Sequence, residues 1–248
     1  MKKHIPNFIT CLNLFSGCLA LIFVFNGNPA MASILILLAM IFDFFDGMAA
    51  RMLNVSSPLG IQLDSFADMV SFGVAPGLLL YSMMDRALEI SETEFSPAFS
   101  VFYRLLPFLI PLCSALRLAR FNLDEKQRHS FMGLPTPASG LMLASFPLIK
   151  IFDASFASGW MEEPVFLALS SCLLAFLMVS NISMFSFKFE HYSWTENEIR
   201  YLFLVFSISL IAVLLFTAIP IIILLYVVIS IFENKFLNKK NRSNEIHS

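Results

Sequence analysis

Four aspartates in two short runs are the part of this 248-residue sequence best equipped for chemistry. The first run reads Asp43-Phe-Phe-Asp46-Gly47-Met-Ala-Ala50-Arg51, and the second, eight residues later, Gly60-Ile-Gln-Leu-Asp64-Ser-Phe-Ala-Asp68. Residues three or four apart share a helix face, so two neighbouring helices can aim all four carboxylates at one point. With no His or Cys among them, the set is all oxygen. It suits hard divalent cations, Mg²⁺ or Mn²⁺, and a pair of such ions offsets four negative charges. Both runs abut long apolar segments, and ionisable groups beside hydrocarbon mark a functional site whose charge must be compensated. Gly47 lets a ligand approach the helix backbone closely. Arg51, one turn further along the same face, offers a planar fork to phosphate oxygens. Acids for metal and an arginine for phosphate together point to a bound diphosphate.

The elements that must position these groups are membrane helices. The chain is 58% hydrophobic and 14% charged, with a mean hydropathy of +0.77, and apolar runs of about 20 residues recur along nearly its whole length. No stretch is left for a separate soluble domain, and nothing in the pattern is directed at nucleic acid. The formal net charge of −2 carries little information, because in a membrane protein the placement of Lys and Arg matters more than their sum. Cys11, Cys18, Cys113 and Cys172 are scattered without metal-ligand spacing and read as packing thiols. The first apolar run lacks a small-residue cleavage site after it and reads as a retained helix.

Eight spans follow, at about 8–25, 30–50, 59–81, 99–116, 139–152, 164–182, 201–216 and 219–232. Pro76 is expected to kink the third, and the Ala218-Ile219-Pro220 corner to divide the seventh from the eighth. The predicted organisation is one integral membrane catalytic domain over 1–232 and a basic tail over 233–248, disordered towards its end. The tight Asn26-Gly27-Asn28-Pro29 turn makes spans one and two a hairpin. Spans two and three meet at an end that holds all four acids, and this is also the end of the N-terminus. Of the 16 Lys and Arg residues, all but Arg86, Arg104 and Lys150 fall on that side. The positive-inside rule then puts both termini and the acids in the cytoplasm, in a cell (inner) membrane. Asn7, Thr10 and Asn13 recur along one stripe of span one, where helix capping and ligand contact are both open readings. Ser56 and Ser57 precede span three, where a cap and a phosphate or ribose contact are compatible. His129 and His191 read as solvated loop residues, and Trp160 and Trp194 as interfacial anchors.

The spacing D-x-x-D-G-x-x-A-R, eight residues, G-x-x-x-D-x-x-x-D resembles the signature of the CDP-alcohol phosphotransferases, membrane enzymes of phospholipid synthesis. Asp43, Asp46, Gly47, Ala50, Arg51, Gly60, Asp64 and Asp68 fill every fixed position. The resemblance implies an all-α polytopic protein with a six-helix core, here carrying two further C-terminal helices, and commonly a homodimer. It implies transfer of a phosphatidyl or similar group from a CDP-linked donor to an alcohol, with release of CMP. In that scheme Asp43, Asp46, Asp64 and Asp68 hold two divalent ions, Mg²⁺ or Mn²⁺, and Asp68 also takes the proton of the incoming hydroxyl. Asn7, Thr10, Gly47, Arg51, Ser57 and Gly60 contact the CDP part, with Arg51 on the diphosphate.

Arg117 and Arg120, three apart at the end of span four, face one way by helical spacing and suit either an anionic acceptor or lipid headgroups. Arg117-Leu-Ala-Arg120-Phe-Asn122, followed by Phe131-x-Gly133-Leu-Pro135-x-Pro137-Ala, resembles the pattern of the membrane-embedded phosphatidylserine synthases. That implies CDP-diacylglycerol as donor and L-serine as acceptor, with Arg117, Arg120 and Asn122 binding the acceptor. Two readings stand beside it: the same chemistry on glycerol 3-phosphate, inositol phosphate or choline, and a cation transporter whose membrane carboxylates bind the ion.

Overall fold

The computed structural model describes residues 4–55, 57–90, 96–123, 131–152, 159–184 and 194–246, with the backbone alone for Phe131, 194–199 and 234–246. Ser56, His129 and His191 lie outside the described residues, as does the side chain of Trp194.

The chain is a helical bundle. Helices α1 (His4–Phe25) and α2 (Pro29–Met52) form the expected hairpin. Gly27 turns the chain at φ +70°, and the Asn28 side chain accepts from the Met31 N–H at 3.1 Å, capping α2 behind Pro29. Helix α3 (Pro58–Asp68) opens on Ser57, whose Oγ accepts from the Gly60 N–H at 3.0 Å. It runs without a break through a widened π turn (Met69–Val74) into α4 (Ala75–Ile90). The kink expected at Pro76 takes this form. Proline has no N–H to give to the carbonyl four residues back, and the preceding turn widens so that Ala75 N–H bonds the Val70 carbonyl.

Helix α5 (Pro97–Leu105) reaches α6 (Leu109–Leu123) through a 3₁₀ turn containing Pro107. Helices α7 (Thr136–Phe152) and α8 (Pro164–Val179) follow, and α9 (Trp194–Leu214) and α10 (Ala218–Ile246) complete the order. The one departure from all-helical structure among the described residues is a two-residue antiparallel ladder, Phe131–Met132 with Ser183–Met184.

Five helical runs among the described residues are long and apolar enough to cross a bilayer: His4–Phe25, Pro29–Met52, Pro58–Ile90, Pro97–Leu123 and Arg200–Glu233. Thr136–Phe152 and Pro164–Val179 are shorter apolar helices, about 25 Å each against a hydrocarbon core of about 30 Å. Protein rather than lipid surrounds much of α7, which buries Thr136, Ser139 and nearly the whole run from Gly140 to Ile149.

The run Arg200–Glu233 is a hairpin, because the rings of Phe203 and Tyr226 lie 6.3 Å apart, where one continuous helix would separate them by about 35 Å. The break falls at Leu214–Thr217, with Leu215 at φ +48°, rather than at the expected Ala218-Ile219-Pro220 corner. Pro220 stands in the first turn of α10, where its missing N–H removes no helical bond. The tail also departs from expectation. Helix α10 continues to Ile246, through a stretch with neither Gly nor Pro to stop it.

The three cations assigned to the end away from the acids sit there with partners. Arg86 Nη2 donates to the Gly27 carbonyl at 3.0 Å, Arg104 Nε to Asp85 Oδ1 at 2.6 Å, and Lys150 pairs with Glu162.

The π turn is the hub of the packing. A Cβ on Gly17 of α1 would meet Ser71 Oγ at 2.3 Å and its Cα at 2.9 Å, and one on Gly140 of α7 would meet the Phe72 Cα at 3.0 Å. On a third side a Cβ on Gly73 would meet Ser114 of α6 at 3.0 Å. In a bilayer, lipid is as apolar as the side chains, so such close approach of small residues is what holds helices together. Gly17→Ala is expected to cost about 1–3 kcal/mol through overpacking against backbone. Its thermal midpoint in detergent should fall, whereas Gly159→Ala, with nothing within 4 Å of the new methyl, should leave the midpoint in place.

Candidate active site

Helices α2 and α3 bring the acids together. Asp43, Asp64 and Asp68 each place a carboxylate oxygen within 4.8 Å of the others. Asp46, one turn along α2 from Asp43, lines the same cleft as Asp64. Asp46 and Asp68 are 6% and 9% exposed, and Asp46 Oδ2 and Asp68 Oδ1 have no hydrogen-bond partner. An unpaired buried acceptor costs about 1–3 kcal/mol, and more when charged. Four like charges so close need cations beside them. The donor set therefore fits hard divalent ions: all oxygen, convergent, and with lone pairs left unused.

Beside the acids opens a cleft of about 160 Å³. Asn7 and Thr10 of α1, Gly47 of α2, and Ser57 and Gly60 at the start of α3 line it, so five of the six residues assigned to CDP share one wall. A Cβ on Gly60 would lie 3.0 Å from Asn7 Oδ1, which shows how closely α1 and α3 approach here. Thr10 lies beside Asp46, while its own hydroxyl donates to the Pro6 carbonyl at 3.0 Å. A Cβ on Gly47 would meet nothing within 4 Å. Protein packing does not call for glycine at that position. Arg51, the sixth residue, donates Nε to the Gly47 carbonyl at 3.0 Å, which ties the root of its fork to the glycine and leaves the two Nη groups for a ligand.

The acceptor residues separate. Arg117 is buried, within electrostatic reach of Asp68 though not ion-paired to it, and donates Nη1 to Thr136 Oγ1 at 3.0 Å. Arg120 is exposed and donates to the Val179 carbonyl at 3.2 Å, at the end of α8. The two guanidinium groups therefore meet different surroundings. Asn122 donates Nδ2 to Ser65 Oγ at 3.0 Å, linking the ends of α6 and α3. The Gly133-Leu-Pro135 segment carries Thr136 to Arg117. Gly133, at φ +73°, donates to the Ile182 carbonyl at 2.8 Å, and Leu134 to the Leu177 carbonyl at 2.9 Å. A Cβ on Gly133 would stand 2.4 Å from the Met178 carbonyl. Thr136 was not legible as a site residue in the sequence, although it lies inside the Gly133-to-Ala138 motif.

The sequence profile described as CDP-alcohol phosphatidyltransferase matches residues 3–180. The chain belongs to that family. The match ends with α8, so the α9–α10 hairpin lies outside it and the six-helix core inside. Relatives include the CDP-diacylglycerol–serine O-phosphatidyltransferase of Bacillus subtilis (strain 168), 36% identical over 190 residues, covering 77% of this chain and 92% of the relative. The protein of the same name from Helicobacter pylori (strain ATCC 700392 / 26695) is 31% identical over 239 residues, covering 95% of this chain and 92% of the relative. The archaetidylserine synthase of Methanothermobacter thermautotrophicus is 34% identical over 152 residues, 60% of each chain. A transferase family leaves the cation-transporter reading without support.

The acid geometry generates a prediction for the metal-free protein. Asp43→Asn removes one of several mutually repelling charges, so its thermal midpoint in EDTA should exceed that of the parent. Its Mn²⁺ affinity, read by calorimetric titration, should fall tenfold or more, about 1.4 kcal/mol. An unchanged affinity would mean that the three carboxylates do not share an ion.

Proposed function

We propose that this protein transfers the phosphatidyl group of CDP-diacylglycerol to the hydroxyl of L-serine, giving phosphatidylserine and CMP. The observation that carries the reading is the convergence of Asp43, Asp64 and Asp68 within 4.8 Å of one another, with a buried Arg117 within electrostatic reach of Asp68. Asp43, Asp46, Asp64 and Asp68 would hold a pair of Mg²⁺ or Mn²⁺ ions, which supply charge stabilisation for the phosphoryl oxygens and the leaving group.

The chain's own groups divide the remaining work. Asn7, Thr10, Ser57 and Gly60 line the pocket for the cytidine nucleotide, open space over Gly47 admits it against the helix, and Arg51 offers its fork to the diphosphate. The serine hydroxyl attacks the phosphorus bearing the lipid, the bond from that phosphorus to the CMP oxygen breaks, and Asp68 accepts the hydroxyl proton. Serine carries its carboxylate and its hydroxyl two carbons apart, so an arginine beside the base can bind the first and thereby aim the second. Thr136 holds that arginine. Arg120 and Asn122, bonded to Val179 and Ser65, shape the rim of the acceptor site rather than its floor. The acid end faces the cytoplasm, where the water-soluble precursors of the donor are made, in keeping with the charge asymmetry of the loops.

Detergent-solubilised protein given CDP-diacylglycerol and Mn²⁺ or Mg²⁺ should incorporate labelled serine and not labelled glycerol 3-phosphate, inositol phosphate or choline. Incorporation from one of the others instead would assign a different acceptor. Asp68→Asn should abolish CMP release while the donor still binds. Arg117→Lys, which keeps the charge but loses the planar fork, should raise the KM for serine tenfold or more with little change in that for the donor.

Gly47→Ala separates fold from function. Alanine in a helix interior is favoured over glycine by about 0.5–1 kcal/mol, so the variant should melt at or above the parent's midpoint. Its KM for CDP-diacylglycerol should nonetheless rise. A variant that melts low and binds the donor normally would show that Gly47 serves packing after all.

A further inference from the structure

Beneath the acids lies a side chain with both polar ends unused. Asn13 of α1 is 0% exposed, and neither its Nδ2 nor its Oδ1 has a hydrogen-bond partner. A buried amide with nothing to bond costs about 1–3 kcal/mol at each orphaned group. Its place is fixed from two directions. Its own carbonyl accepts from Ser71 Oγ at 3.0 Å, and Ser71 stands three residues beyond Asp68 on the same continuous helix. Thr10, one turn before Asn13, lies beside Asp46. Since α1 and α2 run antiparallel, one turn forward on α1 corresponds to one turn back on α2, from Asp46 to Asp43. Asn13 therefore stands at the level of Asp43 and Asp68, the two acids farthest from the 52–58 link between α2 and α3.

The position is also immobile. One turn after Asn13 comes Gly17, where a Cβ would stand 2.3 Å from Ser71 Oγ, so α1 cannot slide or rotate to give the amide a partner elsewhere. The hydroxyls of Thr10 and Ser71 are already bonded, to the carbonyls of Pro6 and of Asn13 itself. Asp68 Oδ1 is likewise buried and without a partner. An amide supplies what that arrangement lacks. Its N–H₂ can donate to a carboxylate oxygen, and its carbonyl oxygen is a hard acceptor for the protons of an ion-bound water.

We propose that Asn13 is a positioning residue of the divalent-cation cluster, its Nδ2 donating to a carboxylate of the Asp43–Asp68 pair and its Oδ1 accepting from water on the bound ion. The inference rests on the metal-dependent reading above. It goes beyond the acid motif, because Asn13 is on a different helix and 30 residues before the first of the four aspartates. Groups that orient metal ligands from behind typically alter metal affinity 10- to 100-fold when removed.

Asn13→Leu, which keeps the heavy-atom count and branching of the parent side chain, is the telling variant. It removes both orphaned polar groups, so the metal-free protein should melt at or above the parent's midpoint in EDTA. Its Mn²⁺ affinity by calorimetric titration should weaken about tenfold or more, and the rise in midpoint on adding saturating Mn²⁺ should shrink accordingly. A role confined to packing gives the opposite pair of results: a lower midpoint in EDTA and an unaltered Mn²⁺ affinity. That outcome overturns the proposal. If the leucine variant does not purify, Asn13→Ser, which keeps an acceptor but loses the amide donor, is titrated in the same way, and an affinity equal to the parent's is again fatal. The parent protein is measured alongside. Failure of the parent itself to bind Mn²⁺ or to release CMP in the presence of serine would strike the metal-dependent reading, whereas a parent that does both beside a variant with normal affinity strikes only the role of Asn13.

Discussion

Mutual repulsion among buried carboxylates is the force that the rest of this molecule has to resist. Asp43, Asp64 and Asp68 sit within 4.8 Å of one another, and a carboxylate close to hydrocarbon has little water to screen it. Left to themselves, α2 and α3 would separate or turn their acids away. They are held by contacts on the far side of the same helix. The π turn that follows Asp68 is gripped by Gly17 of α1, Gly140 of α7 and, through Gly73, Ser114 of α6. Close-packed interiors resist small displacements strongly, so the turn works as an anchor one step beyond the charges it fixes.

The division of the bundle follows from that anchor. Helices α1, α2 and α3 build the cleft and the acid cluster, and the interface between them is lined by small and polar residues. Helices α6, α7 and α8 build the other wall, where Arg117, Thr136 and the Gly133 crossing are tied to the end of α8 by main-chain bonds. The base proposed for the reaction, Asp68, stands between the two walls. In the proposed reaction each substrate is met by an arginine, Arg51 for the diphosphate and Arg117 for the acceptor. The α9–α10 hairpin lies beyond the family core. It adds Tyr226 and Phe203 to the apolar cluster against α7 and the short ladder, thickening the wall on the acceptor side.

The sequence fell short where local patterns meet three-dimensional neighbours. Helical spacing placed Arg117 and Arg120 on one face, and on an isolated helix it would be right. In the bundle the two side chains lie on either side of a boundary. One enters the interior beside Asp68, and the other ends on the Val179 carbonyl. Pro76 announced an irregularity but not its form, because whether a helix bends or widens depends on what packs against it. The break in the last hairpin came at Leu215, a residue with no sign of it, where the turn packs on α7 with the rings of Phe216 and Phe152 5.3 Å apart, rather than at Pro220.

What the chain settles alone is what depends on near neighbours in sequence. Apolar runs of span length gave the membrane bundle, the Asn26–Pro29 turn gave the first hairpin, and two acid pairs at helical spacing together with Gly47 and Arg51 pointed to the chemistry proposed for the site. Each of these is a property of one helix or one turn, where the backbone leaves few choices. The tertiary structure alone decided which groups share a wall. It drew Thr136 to Arg117 and Asn13 to the floor beneath the acids. It also separated a glycine with open space over it, Gly47, from packing glycines such as Gly17. Those are contacts between helices, fixed by which small residues allow close approach, and sequence spacing carries no record of them.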